Sequence, residues 1–203
     1  MKVNEPESPF ILFIHGASSS PLSFNYIKQN LPEHNGLDFA YDSNDDIEDI
    51  IPRLIQVLQL SPKKLCVIAH SLGGVIATSA SYSDVLEALN IQLKLITISS
   101  PFSGSKAATY LKFLFPGYGL FGNVSTTNPV ILGIQNEGAK WPTLNIISTG
   151  GDSPLLKEPN DGVISVSSQI SLKKCTQKVH RINHFETLLS LDIIKDIKEF
   201  IWE

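Results

Sequence analysis

Between Val67 and Gly74 the chain reads Val67-Ile68-Ala69-His70-Ser71-Leu72-Gly73-Gly74, an apolar run that halts at a serine and resumes as a helix-compatible segment. A buried strand that passes into a helix through one residue needs a sharp turn, and the backbone there leaves room only for small side chains two positions to either side. Ala69 and Gly73 occupy those positions, giving A-x-S-x-G where the usual signature is G-x-S-x-G. A serine at the apex is held in strained geometry, which chains keep mostly where it serves function. The purely structural reading of Ser71 is an N-cap for the helix that follows.

A strand feeding straight into a helix is half of a βα unit, and the remainder of the chain supplies more of them. Phe10–Ile14 is a continuous apolar run between Pro9 and Gly16, the pattern of a strand buried on both faces. Further strands are expected at 36–41, 65–69, 93–98 and 144–148, with a weaker one at 179–182. Helices are expected at 23–31, 45–60, 72–82 and 185–202; in the second, Ile47, Ile50, Ile51, Leu54, Ile55 and Leu58 mark one apolar face. Strand and helix alternate, so the fold class is α/β with a mostly parallel sheet of about six strands and helices on both faces. With 203 residues, one domain spanning 1–203 is expected. Residues 101–142 break the alternation with Pro101, Pro116, Pro129 and Pro142 and many aromatics, and read as an irregular insertion on one edge of the sheet.

Charge and composition narrow the function. A net charge of −4 argues against a nucleic-acid partner or an anionic-membrane footprint, both of which need a basic surface. The acids Asp42, Asp45, Asp46, Glu48 and Asp49 fit a solvated helix face with favourable N-terminal charge. The two cysteines, Cys66 in an apolar run and Cys175 in a polar one, form neither a disulfide framework nor a metal pattern. A reducing, cytoplasmic setting is expected, since the start is acidic and proline-broken rather than a signal peptide. No apolar run approaches a membrane span. Ser18-Ser19-Ser20 follows a glycine but lacks the G-x-x-x-x-G-K-[ST] pattern, which excludes a phosphate-cradling loop.

In an open α/β sheet, sites form at the carboxyl ends of the strands. Four such ends here carry His15-Gly16-Ala17, Ser71, Asp152 with Asn160-Asp161-Gly162-Val163, and Asn183-His184-Phe185. Serine, acid and histidine therefore occur in that order. A serine hydroxyl is a weak nucleophile that needs a neighbouring base. His184, between the last strand and the last helix, can swing over Ser71. His180 falls inside the strand, His34 lies in a polar turn, His70 adjoins the serine as a packing residue, and His15 fixes its own loop. Asp161 and Asp152 both qualify as the acid that would hold the histidine tautomer.

These motifs, with Ser99-Ser100-Pro101-Phe102-Ser103-Gly104-Ser105 between them, resemble the α/β-hydrolase superfamily, and within it the small bacterial lipases and esterases. The resemblance covers residues 10–201. It implies an α/β-hydrolase fold trimmed at the N-terminal strands, with the chain starting at the family's third strand. It implies Asp161 as the triad acid, because Asn160-Asp161-Gly162-Val163 is similar to the segment that carries it in the lipase branch; Asp152 is then a turn residue. It also implies an oxyanion hole from the backbone N–H groups of Ala17 and Leu72.

The expected activity is hydrolysis of carboxylic esters by Ser71, His184 and Asp161, with no metal and no cofactor. The aromatics of the insertion, Phe102, Phe113, Phe115 and Phe121, are expected to line or cover an acyl pocket. Each buried methylene of an acyl chain contributes about 0.8 kcal/mol. The expected partner is thus a small-molecule or lipid ester, met by transient contact with a lipid surface. The same triad would serve an acyltransferase, thioesterase or amidase, and the fold also hosts proteins that bind without turnover. The sequence is silent on oligomeric state.

Overall fold

The computed structural model describes residues 9–32, 34–106, 108–109, 117 and 119–202. Six strands form one sheet: β1 (Phe10–Ile14), β2 (Asn35–Phe39), β3 (Lys64–His70), β4 (Gln92–Ile98), β5 (Thr143–Ser148) and β6 (Thr176–His180). Their order is β2-β1-β3-β4-β5-β6 and every neighbouring pair is parallel. The helices are α1 (Asn25–Asn30), α2 (Ile47–Leu60), α3 (Leu72–Ala80), α4 (Asp84–Ala88), α5 (Gly119–Asn123), α6 (Pro129–Glu137), α7 (Val166–Gln169) and α8 (Leu191–Trp202). This is the α/β-hydrolase architecture expected from the sequence.

Successive strand side chains point to opposite faces, and this alternation divides the core into two layers. Leu12 and Ile14 of β1, with Leu65, Val67 and Ala69 of β3, pack under α2, α3 and α6. Ile11 and Phe13, with Cys66 and Ile68, face the other way and pack against α1 and α8. The central strands are apolar on both sides because both sides are covered. Two polar residues interrupt the first layer at its far end. Thr97 of β4 and Asn145 of β5 are fully buried and bonded to each other at 3.0 Å, and they form the base of the polar network described below.

Several boundaries differ from the sequence expectation for identifiable reasons. Strand β6 ends at His180 rather than Ile182, so its register starts earlier, in the polar Thr176-Gln177-Lys178. The expected helix over 185–202 is interrupted. A 3-10 turn occupies Glu186–Leu189, Ser190 is extended, and its hydroxyl accepts from the Ile193 N–H at 3.4 Å, starting α8 at Leu191. Helix α2 runs through Pro52 inside the helix, where the missing N–H takes the intrahelical donor from the carbonyl of Glu48; both residues are exposed, so water can reach that face. Part of 101–142 is regular. Asn128 caps α6 by accepting from the Val130 N–H, Pro129 opens the helix, and Ile131 and Ile134 enter the core beside α3. Helix α6 thus lies on one face of the sheet, in the crossover from β4 to β5. Among the described residues no helix is long and apolar enough to cross a membrane.

Candidate active site

Ser71 sits where the sequence puts it, at the sharp turn between β3 and α3. Its φ of 52° and ψ of −122° lie where non-glycine residues are rarely found, a conformation that costs on the order of 1–3 kcal/mol. Three contacts hold it there. The Ser71 N–H donates to the Ile98 carbonyl at the end of β4 at 2.8 Å, and the Ser71 carbonyl accepts from the Gly74 N–H at 3.0 Å. The first turn of α3 is also pressed against the end of β1. A Cβ on Gly73 would stand 2.5 Å from the carbonyl oxygens of Ile14 and His15, and one on Gly16 would stand 3.0 Å from the Cβ of Ser71. The glycine two residues after the serine is therefore set by helix-to-strand approach, while Ala69 fits the first core layer without exposure.

Asp161 and His184 come from the loops after β5 and β6. Nδ1–H of His184 donates to Oδ2 of Asp161 at 2.7 Å, with side-chain exposures of 3 % and 0 %. The loops are also joined through backbone, the His184 N–H donating to the Asp161 carbonyl at 2.9 Å. Asp161 takes four further donors. Its Oδ1 accepts the N–H groups of Val163 (2.9 Å) and Ile164 (2.7 Å), and its Oδ2 accepts the Ser148 hydroxyl (2.6 Å) and Nε2 of Gln169 (3.1 Å). Burial alone would raise the carboxyl pKa. The donors, His184 foremost, outweigh burial and hold it below the ordinary range, so Asp161 is a carboxylate at neutral pH. Asp152 is exposed, and among the described residues it has no hydrogen-bond partner.

Behind Asp161 lies a polar chain that the sequence reading missed. The Ser148 proton is committed to Asp161, so the 2.7 Å contact between the Ser99 and Ser148 hydroxyls makes Ser99 the donor. Gln169 clamps the end of β5 from both sides: Oε1 accepts the Ser148 N–H at 2.9 Å and Nε2 donates to the Ser148 carbonyl at 3.0 Å. Asn145 donates to the Gln169 carbonyl at 2.9 Å. Ser99, Ser148, Asn145 and Gln169 are all fully buried. The available signal was the serine that closes the apolar strand β5.

On the serine side several polar groups have no partner. Among the described residues neither Oγ of Ser71 nor Nε2 of His184 makes a hydrogen bond, and neither is a sealed atom, since the one buried unpartnered side-chain polar atom is Nδ1 of His70. Each therefore keeps some exposure to solvent. Catalytic serine–histidine bonds often form only when substrate arrives. The N–H groups of Ala17 and Leu72 likewise have no acceptor among the described residues. His70 ties the serine turn to the His184 loop. A carbonyl only accepts, so the 3.1 Å contact to the His184 carbonyl places the His70 proton on Nε2. Its ring lies 4.7 Å from that of His184. Burial, with a lesser contribution from the neighbouring His184, pushes the His70 pKa down to about 3 and keeps the ring neutral.

His15 shapes the loop after β1. The Tyr41 N–H donates to its Nε2 at 3.3 Å, which leaves the proton on Nδ1 to donate to the Gly16 carbonyl at 2.8 Å. The His15 and Tyr41 rings stack at 4.5 Å and 5°. Burial raises the Tyr41 phenol far above its usual range, so it remains a donor, to the His15 carbonyl at 2.9 Å.

The aromatics expected around an acyl pocket fall in different places. Phe113 and Phe115 lie outside the described residues. Phe121 is half-buried on α5. Phe102 has 0 % exposure in the first core layer, so it offers a substrate no surface. An aromatic the sequence reading passed over stands at the site: Phe185 is 68 % exposed, with its ring edge-to-face on His184 at 5.4 Å. Among the described residues no cluster of three or more His, Cys, Asp or Glu side chains could hold a metal ion.

Solved structures share this fold. The mature form of the lipase BlEst2 of Bacillus licheniformis superposes with a TM-score of 0.72 at 16 % identity, covering 96 % of this chain and 93 % of that one. The type II thioesterase BorB of the borrelidin biosynthetic cluster gives 0.66 at 16 % identity, over 98 % and 93 % of the two chains. A lipase-esterase related protein of Clostridium acetobutylicum gives 0.64 at 14 % identity, over 96 % and 95 %. No curated protein matches the sequence. Residues 4–134 match the family described as "Putative serine esterase (DUF676)". That match spans well over half of the 203 residues, and the chain belongs to this serine esterase family.

Proposed function

We propose that this protein hydrolyses carboxylic esters through an acyl-enzyme on Ser71, with His184 as base and Asp161 as its orienting acid. The observation that carries the reading is the buried 2.7 Å Asp161–His184 bond. It leaves Nε2 of His184 without a partner among the described residues, as is the hydroxyl of the strained Ser71, whose neighbour His70 is bonded to the His184 carbonyl at 3.1 Å. Nε2 of His184 takes the Ser71 proton as Oγ attacks the acyl carbonyl. Asp161 keeps the histidine in the Nδ1–H tautomer and stabilises the imidazolium. The free N–H groups of Ala17 and Leu72 receive the developing oxyanion. The tetrahedral intermediate collapses as His184 passes its proton to the departing alcohol. Water, deprotonated by His184, then releases the acid and restores Ser71. Every proton and electron pair is accounted for without a metal or a cofactor.

The exposed Phe185 beside the base and the aromatic-rich stretch over 101–142 support a lipophilic ester as substrate. Reaction with a fluorophosphonate probe followed by peptide mapping tests the assignment: the adduct is expected on Ser71, and an adduct elsewhere overturns it. A panel of p-nitrophenyl esters and acyl thioesters of rising chain length tests the substrate class. Turnover is expected to rise from acetyl to octanoyl oxygen esters, and a preference for acetyl or for thioesters overturns that part.

A further inference from the structure

The loop that carries the Ala17 N–H is held from outside by a line of hydrogen bonds that starts in the β4–β5 crossover. Ser18 is a non-glycine residue at φ 51°, and its N–H donates to the Ser43 hydroxyl at 2.8 Å. That bond has two consequences. It occupies the Ser18 amide, leaving the Ala17 amide as the free donor of the pair. It also fixes the peptide after Ala17, while the Nδ1–H of His15 holds the Gly16 carbonyl on the peptide before it. A peptide unit is planar, so holding the Gly16 carbonyl aims the Ala17 N–H. The Ala17 donor is thus gripped on both sides.

Ser43 is in turn held by Asn123, the last residue of α5, 80 positions along the chain. Nδ2 of Asn123 donates to the carbonyls of Ser43 (3.2 Å) and Asp45 (2.7 Å), and Oδ1 accepts the Ile47 N–H at 3.0 Å. Asn123 is 2 % exposed. Helix α5 meets the same turn at its other end, where a Cβ on Gly119 would stand 2.1 Å from the Asn44 carbonyl oxygen. An asparagine that spends both halves of its amide on the backbone of one distant turn fixes the position of that turn.

We infer that Ser43 is a positioning residue for the oxyanion donor Ala17, and that Asn123 acts through it, so that α5 and the oxyanion loop form one mechanical unit. The inference rests on the reading of Ala17 as an oxyanion donor. It makes the region 101–142 more than a wall beside the pocket, because displacing α5 would loosen the group that stabilises the transition state.

The test compares wild type, Ser43→Ala, Ser43→Thr, Asn123→Asp and the Ser43→Ala/Asn123→Asp double variant, using kcat and KM for a short p-nitrophenyl ester well below each thermal midpoint. Asn123→Asp keeps the acceptor for Ile47 and removes the donors to Ser43 and Asp45. Loss of a whole oxyanion donor lowers kcat by about 10²–10³. A misaimed donor is expected to give part of that: about 10- to 100-fold for Ser43→Ala, with KM within about 2-fold, and a smaller fall for Asn123→Asp. Ser43→Thr, which retains the hydroxyl, is expected to recover most of the kcat. The double variant is expected to be no slower than Ser43→Ala, since both changes act along one line. A merely structural role would lower the thermal midpoint and leave kcat below it unchanged. A labelled, active wild type with an unaffected Ser43→Ala kcat, or losses that multiply in the double variant, overturns the clamp alone. An unlabelled and inactive wild type overturns the hydrolase reading and the clamp with it.

Discussion

The two halves of the site are finished to opposite degrees. Around Asp161 every polar atom has a partner: five donors on one carboxylate, then Ser148, Ser99, Gln169 and Asn145, all buried and bonded. Around Ser71 the hydroxyl, Nε2 of His184 and the N–H groups of Ala17 and Leu72 have no hydrogen-bond partner among the described residues. The acid half is a closed framework whose bonds were all made on folding. The serine half keeps its bonding capacity unspent, and the strain at Ser71 is held by its own turn through the Ile98 carbonyl and the Gly74 N–H. Preorganised donors need no reorganisation at the moment of reaction, which is why such groups accelerate it.

Removing a group from the open half should cost activity and little else. Ser71→Ala is expected to lower kcat by about 10⁵-fold or more, with a thermal midpoint within a few degrees of wild type, because the hydroxyl has no bond to lose. Retained turnover would break the comparison at its first premise. A change in the closed half should cost both. Asp161→Asn puts an amide in place of the carboxylate, lets His184 take the wrong tautomer and is expected to lower kcat by about 10⁴-fold. It also turns one acceptor oxygen into a donor facing other donors, so the thermal midpoint should fall as well. A stable Asp161→Asn protein with unchanged kcat would show that Asp161 is only a loop residue.

The open half was far more legible in the sequence than the closed one. Ser71, His184, Ala17 and Leu72 lie next to strong local signals: a small-residue turn, a polar Asn-His after a strand, His-Gly at the end of an apolar run. The sheet was legible for the same reason, since strands covered on both faces leave continuous apolar runs. The closed half depends on residues with no such signature. Ser148 and Gln169 are 21 positions apart and meet only because α7 folds back over the end of β5. Asn123 and Ser43 meet across a still longer separation. Asp161 could not be separated from Asp152 by position alone. The family resemblance favoured Asp161, and the structure brings Asp161 rather than Asp152 to His184. The misread start of the last helix is different, because the signal was present: Ser190 is a helix cap overridden in the reading by an apolar periodicity that continued through it.

Gln169→Leu sharpens the comparison within the closed half. Leucine fills a similar volume but leaves the Ser148 N–H, the Ser148 carbonyl and part of Oδ2 of Asp161 unsatisfied in a buried place. Each such loss costs about 1–3 kcal/mol, so a stability fall of about 2–4 kcal/mol is expected by urea unfolding. The effect on kcat should be about 10-fold, because His184 still holds Asp161. A variant as stable as wild type would mean that the network can be replaced by apolar packing, and that its closure is incidental.

The smallest expected effect lies at the seam, where His70 joins the two halves through the His184 carbonyl. His70 faces His184, Asp161 and His15, and burial leads these in holding its pKa at about 3 in the fold, against an ordinary 6.5. The unfolded chain therefore binds a proton that the folded chain refuses throughout the interval between the two values. Stability from this group is complete above about pH 6.5 and declines as pH falls toward 3, by about 1.4 kcal/mol per unit. Asp161 adds a loss in the same direction, but only below its own unfolded value near 3.8. His70→Gln keeps an N–H able to reach the His184 carbonyl and removes the titration. The urea midpoint of the variant should thus fall less steeply than that of wild type between pH 6.5 and 5.5, by the equivalent of about one proton. The difference in slope between the two proteins reads the consequence of removing the titrating ring at position 70. Identical slopes would mean that His70 charges without disturbing the fold, and that the seam is wetter and looser than its unpartnered, buried Nδ1 indicates.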